Sequence, residues 1–503
     1  MSPEISPKNR AIIISATLLT LFVSALDTLV MSAAMPTILS DLGGLSLYSW
    51  VFSSYLLARA VSMPIFGKLA DLFSSRRLYN LSIGIFLAGS MLAGISRNMT
   101  QLIIFRAFQG IGAGGIFSLV YIVLAGISSP ENRGKTLSLA SFIWGLASVL
   151  GPTIGGFIVS YFSWRWIFYI NIPVGVLSIV GVSLYLVDFH ESRKTVAIDV
   201  AGALTLSVTI IALLTTFLMI GRGYAWRSAP IFILELITVL FGLAFAFVER
   251  RAPDPILALN FFKVRGFSFG NGAGFCASFA VFSFFAYSPL FIQGALGKTP
   301  MELGLAMLVL SLAWSVASLV CGQLINRLGQ KPSAIIGALF LAAGCGLTLT
   351  FSSSTKLIEC IIVFAICGTG MGFITFATLL VVQDSLEPAH LGIATASNQF
   401  ARTLGGTIGI GIAGGLLSAK MAGMFADVFG PAVREKIPHA VFTRLQESPE
   451  NLFLPEVQSL LEPSVLSRLQ EAVGQDVIIV FWTCLFAALV ALALALGLPK
   501  GRR

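Results

Sequence analysis

Charge is what this sequence has least of: Asp, Glu, Lys and Arg make up 11% of its 503 residues, against about a quarter in an average soluble domain. With 56% of the chain hydrophobic, one water-facing fold has no core large enough to hide that surface, so lipid must serve as solvent for most of it. Histidine is scarce and scattered, at His190, His390 and His439, without metal-ligand spacing. The six cysteines, Cys276, Cys321, Cys345, Cys360, Cys367 and Cys484, fall inside apolar runs and read as packing residues. Neither a metal nor an organic cofactor is expected. A membrane-embedded enzyme would need His, Asp or Cys ligands clustered near an interface, and a sensor would need an added soluble domain; the sequence has neither. The net charge of +9 does not indicate nucleic acid, because the basic residues sit in short connections between apolar runs, as membrane topology requires. No small-residue cleavage site follows the first apolar run, which reads as a span and not as a leader.

What the chain has is apolar runs near the roughly 20 residues that cross a bilayer as a helix. They lie at 11–36, 46–67, 78–96, 101–126, 136–161, 166–187, 199–220, 229–248, 267–292, 302–325, 333–352, 357–383, 391–419 and 476–498. The expected fold is an all-α membrane protein of fourteen transmembrane helices. Alternate connections carry most of the basic residues: Lys68, Arg76, Arg77, Arg133, Lys135, Arg193, Lys194, Arg250, Arg251, Lys263, Arg265, Arg327 and Lys331, with Lys8, Arg10, Lys500, Arg502 and Arg503 in the tails, while the other short connections hold only Arg97, Arg165, Arg222, Arg227, Lys298 and Lys356. The positive-inside rule then puts both termini in the cytoplasm. The connection holding Asp384, Glu387 and His390 is the exception, with no Lys or Arg. The long outer connection, 420–475, contains amphipathic pieces such as Val457 to Ala472, which suit a cap or an interfacial helix.

The chain also repeats itself. Gly67-Lys-Leu69 recurs as Gly322-Gln-Leu324, the glycines 110, 112 and 114 as 368, 370 and 372, and Leu150-Gly-Pro-Thr-Ile-Gly155 as Leu404-Gly-Gly-Thr-Ile-Gly409, at offsets of 255, 258 and 254. Parallel repeats of this kind mark a transporter architecture with its cargo site between two halves. The expected organisation is a six-helix bundle over 1–190, two inserted helices over 191–262, and a second six-helix bundle over 263–503.

Several motifs stand on these helices. Leu26-Asp27-Thr28 and Pro36 lie in the first; Gly67-Lys-Leu-Ala-Asp71 runs through to Arg76 and Arg77 between the second and third; Arg106, Gln109, Gly110 and Gly112 lie in the fourth. Gly145, Gly151, Pro152, Gly155 and Gly156 lie in the fifth, followed by Trp164-Arg-Trp-Ile-Phe168 through Asn171, Pro173 and Gly175. In these residues, across nearly its whole length, the chain resembles the major facilitator superfamily, and within it the fourteen-helix drug:proton antiporter branch. A serine at 74 or 75 replaces the glycine usual in the second motif, which is expected to loosen that turn. The resemblance implies a monomeric antiporter in the plasma or inner membrane that exports hydrophobic or amphiphilic molecules in exchange for protons. The proton is the coupling ion, and membrane lipid is the surrounding partner. A lipid or glycolipid exporter of the same fold is the alternative, suited to the long outer segment.

Charges within a bilayer are costly and default to function; here they are Asp27, Arg59, Arg106, Glu235 and Arg402. At 1.5 Å per residue, Asp27 and Arg106 both lie roughly 9–13 Å below the outer surface, close enough in depth to meet. Asp27 is the expected proton carrier and Arg106 its tuner, since burial favours a neutral carboxyl and a neighbouring guanidinium the charged one. Tyr55, Arg59, Gln109, Trp144, Asn398 and Arg402 are expected at the cavity, with Phe142, Phe282, Phe285 and Tyr287 as further aromatic lining for hydrophobic or cationic cargo. Gly67, Asp71, Arg76 and Arg77 form an expected inner gate, a charge-assisted latch between the second and third helices. Gly145, Gly151, Pro152, Gly155 and Gly156 form an expected moving interface, because glycines let helices approach and proline permits a bend. Glu235, in the inserted pair, is given a local role.

Overall fold

The computed structural model describes residues 6–43, 47–186, 199–221, 224–252, 255–257, 259–428 and 461–499. Within them the chain is helical, with no strand. Fourteen helices have fifteen residues or more: α1 (Pro7–Leu42), α2 (Tyr48–Leu72), α3 (Ser75–Gly94), α4 (Met99–Gly126), α5 (Pro130–Tyr161), α6 (Asn171–Tyr185, preceded by a single turn at Trp166–Tyr169), α7 (Val200–Gly221), α8 (Ala229–Glu249), α9 (Arg265–Pro289), α10 (Pro300–Leu328), α11 (Gln330–Leu347), α12 (Leu357–Asp384), α13 (Leu391–Val428) and α14 (Pro463–Leu496). Eleven are apolar and long enough to span a membrane, or twelve if the two arms of bent α5 count as one span. The shortfall falls on α2 and α3, which carry Arg59, Lys68 and Asp71, and Arg76 and Arg77, on otherwise apolar helices.

Local chemistry sets the ends. Ser6 caps α1 through the Asn9 amide, Pro7 occupies its first turn, and Gly43, at φ 67°, ends it. Thr299 and Glu302 form a reciprocal capping box on α10. Ser74 accepts the Arg77 amide at 3.3 Å and caps α3. The loosened turn expected there is therefore not found: Ser74 has φ −53°, so no glycine is needed, and its hydroxyl fixes the helix start. α9 runs on past Pro289 as a π-helical stretch, Leu290–Ala295.

The second difference lies at the end opposite the basic loops. α13 and α14 extend about two and three turns beyond the runs 391–419 and 476–498. Lys420 joins the two helices, donating to the Gln475 carbonyl at 3.1 Å and lying 3.7 Å from Asp476. The part of Val457 to Ala472 from Pro463 onward is thus the opening of α14 and not a separate interfacial helix. Residues 429–460 lie outside the described part.

Packing follows one pattern twice. In the first bundle α1 lies on α5 and α6, α4 on α2 and α3, and α3 on α6; α9 lies on α13 and α14, α12 on α10 and α11, and α11 on α14 in the second. The bundles meet along two seams, α2 against α13 and α5 against α10. α7 and α8 pack on each other, and α7 rests on both α2 and α13. Five of the cysteines are buried and Cys276 is half-buried; all six are free thiols.

Candidate functional site

Five helices of the first bundle converge on one carboxylate. Asp27, on α1, is 1% exposed and its Oδ2 lies 2.6 Å from Nη1 of Arg106 on α4. Its Oδ1 accepts from Gln109 Nε2 at 2.9 Å and from Asn171 Nδ2, on α6, at 3.1 Å. Arg106 also donates to Gln109 Oε1 at 2.7 Å, three residues away along the same helix face. Asn171 donates further to Ser90 Oγ on α3 at 2.9 Å. The Tyr55 ring of α2 lies under the Arg106 guanidinium at 4.1 Å, with its hydroxyl 3.5 Å from Ser24 and Thr28 oxygens. A bare carboxylate at this depth would be prohibitively desolvated, and the ion pair with two amide donors offsets that cost.

Gln109 and Tyr55, expected at the cavity, belong instead to this sealed network: they are 0% and 1% exposed. Asn398 is also 0% exposed and ties α13 to α9 by donating to Asn271 Oδ1 at 3.4 Å. Arg402 does not join Asp27. It donates to Gln399 Oε1 at 3.0 Å and stands 6.0 Å from the Trp314 ring of α10, next to Tyr121 of α4. Arg59 rests 4.7 Å above the Phe117 ring and 5.9 Å from Tyr55. Trp144 packs against Phe117, and Phe282 against Trp314. Tyr287 donates to the Ile410 carbonyl at 2.9 Å, while Phe142 and Phe285 are exposed on the helix surface. Glu235 is exposed on α8.

At the end carrying the basic loops, Asp71 reaches across the first seam. Its Oδ1 accepts the Gly392 amide at 2.6 Å and its Oδ2 the Ile393 amide at 2.9 Å, at the start of α13. A carboxylate there meets unsatisfied amides and the positive end of the helix dipole. Asp71, expected to latch α2 to α3, thus also ties the two bundles together, and Arg76 and Arg77 are exposed at the start of α3. Gly67 makes it possible, since a side chain there would strike Ala396 of α13. At the second seam Arg133 pairs with Asp384 at 2.9 Å, and Gln330 donates to the same carboxylate at 2.6 Å.

The α5 glycines divide. A Cβ at Gly145 would meet Ser315 of α10, and one at Gly151 would meet Leu29 of α1 at 2.7 Å. Gly155 is buried, whereas a Cβ at Gly156 would meet nothing within 4 Å. Gly156 is therefore no part of a packed interface. α5 bends by 41° between Ser148 and Thr153, at Pro152, where a backbone hydrogen bond is lost. At the opposite end, Asp41 accepts from Trp164 Nε1 at 2.9 Å and pairs with Arg165 at 3.0 Å. The Trp164 hydrogen bond, then Arg165, lowers the Asp41 carboxyl below its ordinary value.

The sequence profile described as Major Facilitator Superfamily matches residues 17–410. The chain belongs to the major facilitator superfamily. It is 34% identical over 496 residues to the multidrug transporter protein MdtP of Bacillus subtilis, covering 97% of this chain and 91% of that one. It is 30% identical over 485 residues to multidrug resistance protein 3 of the same organism, with 96% and 94% covered. Among solved structures it is similar to the proton:xylose symporter XylE, with a TM-score of 0.57, 15% identity, and 94% and 95% of the chains covered; that likeness carries the fold alone. This facilitator is thus a multi-pass membrane transporter and not an enzyme. One residue was visible in the sequence only as part of a motif run: Asn171, whose place on Asp27 depends on how α6 packs. Tyr121 and Trp314 gave no separate signal, because an aromatic on an apolar helix looks the same facing lipid or a pathway.

Proposed function

We propose that this facilitator is a proton-coupled antiporter exporting hydrophobic or amphiphilic small molecules by alternating access between its two bundles. It works in the plasma or inner membrane with the basic loops and both termini in the cytoplasm. The observation that carries the reading is Asp27, a sealed carboxylate held by Arg106, Gln109 and Asn171. A proton on Asp27 removes the negative partner of Arg106 and an acceptor for two amides, so the protonated and charged forms cannot share one geometry. Proton uptake and helix rearrangement are then one event. The Asp71 contact with α13 and the Arg133–Asp384 pair hold the cytoplasmic side shut in one state, and their release opens it. The multidrug names of the two Bacillus relatives support the cargo class.

The test is uphill export from proteoliposomes under an imposed pH gradient, with cationic, neutral and anionic fluorescent amphiphiles. Native protein is expected to concentrate at least one probe and to reverse when the gradient is reversed. Asp27→Asn is expected to abolish uphill movement. Uphill export by the variant at the native rate overturns the role of Asp27, and indifference to the gradient overturns antiport.

A further inference from the structure

Two guanidinium groups stand at the junction of the bundles with no acidic partner among the described residues, and both remain half-buried midway along their helices. Arg59 comes from α2 and Arg402 from α13. They lie at about the same height, since Thr403, next to Arg402, is 3.8 Å from the sulfur of Met63, one turn from Arg59. Both face α4 one turn apart: Arg59 over Phe117, Arg402 beside Tyr121. Nε and Nη1 of Arg59 and Nε of Arg402 are buried without a hydrogen-bond acceptor. The buried carboxylates among the described residues are engaged elsewhere: Asp27 with Arg106, Glu249 with the Leu257 amide, and Asp476 with Lys420.

We infer that Arg59 and Arg402 form the head-group subsite of the cargo pathway, and that the preferred cargo is an anionic amphiphile: a carboxylate, sulfonate or phosphate on a flat apolar body. Once Asp27 and Arg106 cancel, the described residues of the junction carry two uncompensated positive charges. Leaving them bare at this depth is costly, and an anion that accepts from two planar guanidinium forks relieves it directly. A cationic ligand meets repulsion from both. Trp144, packed on Phe117, and Trp314, under Arg402, supply the aromatic wall for the apolar body. The aromatic lining thus serves stacking, and the arginines set the sign of the cargo. The inference rests on the antiporter reading for its pathway, but its test needs no gradient.

Binding is measured on the full chain in phosphatidylcholine nanodiscs by energy transfer from tryptophan to pyrene. The two probes share a body: 1-pyrenebutyrate and (1-pyrenebutyl)trimethylammonium. Native protein is expected to bind the anion on the order of tenfold or more tighter than the cation, the worth of one to two charge-assisted contacts. Arg59→Gln and Arg402→Gln are each expected to weaken the anion by about tenfold and to leave the cation unchanged or tighter. Arg402→Lys, which keeps the charge, is expected to keep the preference. Equal or tighter binding of the cation by native protein overturns the inference without any variant. A folded Arg402→Gln protein that keeps the full anion preference overturns it as well. Adding phosphatidylglycerol to the discs separates the sources: competition with pyrenebutyrate assigns the subsite to lipid head groups as well, and lack of competition to free amphiphiles. Intact anion preference with no uphill export overturns antiport alone; uphill export with equal binding of both probes overturns the anionic cargo alone.

Discussion

A carboxylate that holds three side-chain donors has its protonation tied to its geometry. Asp27 is in that position, and removing its charge leaves Arg106 with Gln109 Oε1 as its remaining hydrogen-bond acceptor among the described residues. Losing a buried charge-assisted hydrogen bond costs about 1–3 kcal/mol. Asp41 is the exposed counterpart, with water to replace its partners. Its carboxyl is held below the ordinary value of 3.8 by Trp164 and then Arg165. A depressed folded value means the contact contributes at pH above the unfolded value and is lost as pH falls through the folded one. A titration of Trp164 emission is therefore expected to show a transition below about pH 4 that is missing in Asp41→Asn; identical curves would remove the carboxylate from that clasp. At this scale the sequence marked Asp27 and Arg106 by depth alone, because a charge in an apolar run has few explanations. It marked Gln109 and Asn398 for a cavity they do not line, because an amide carries no comparable penalty and its direction depends on helix rotation.

Helices α2 and α13 are joined by two backbone amides and one carboxylate, and the joint exists because Gly67 and Gly392 have no side chains in the way. A carboxylate at a helix N-terminus contributes about 0.3–2 kcal/mol, which moves a two-state equilibrium by about twofold to about thirtyfold. Asp71→Asn keeps the shape and loses the charge. It is expected to raise the maleimide labelling rate of Ser397→Cys, 8% exposed beside the joint, by several-fold; equal rates with and without Asp71 would show that the contact does not hold the end shut. Helix ends were legible to within a few residues wherever apolar residues stop at the bilayer surface. They were not legible at the facing ends of α13 and α14, where polar residues such as Lys420 and Asp476 continue the helix and hydropathy no longer reports it.

The two bundles use the same crossings. Gly110 and Gly114 pass the backbone of α2 while Gly112 passes α3; Gly368 and Gly372 pass α10 while Gly370 passes α11. Gly151 meets α1 as Gly405 meets α9. The sequence showed this repeat because close backbone contact admits little but glycine, so these positions stayed recognisable while the rest diverged. Gly67 and Gly322 are the same position used at opposite seams: one meets Ala396 of α13, the other the Gly134 carbonyl and Ser138 of α5. Gly322→Val is therefore expected to part α10 from α5 at the basic-loop end and to slow transport at least tenfold, roughly the effect of a few kcal/mol of overpacking. Spin labels at Arg77→Cys and Arg327→Cys, both exposed, should report a longer distance; an unchanged distance would mean the seam tolerates the added bulk.

The pair α7 and α8 makes the two flanks of the molecule unlike. Two bundles of one packing pattern meet along two seams, α2 against α13 and α5 against α10. α7 rests on both helices of the first seam and buttresses it from outside. The second seam holds the 41° bend of α5 and the close approach of Gly145 to Ser315. The scaffold is built as a pair, yet its two flanks are not mechanically equivalent.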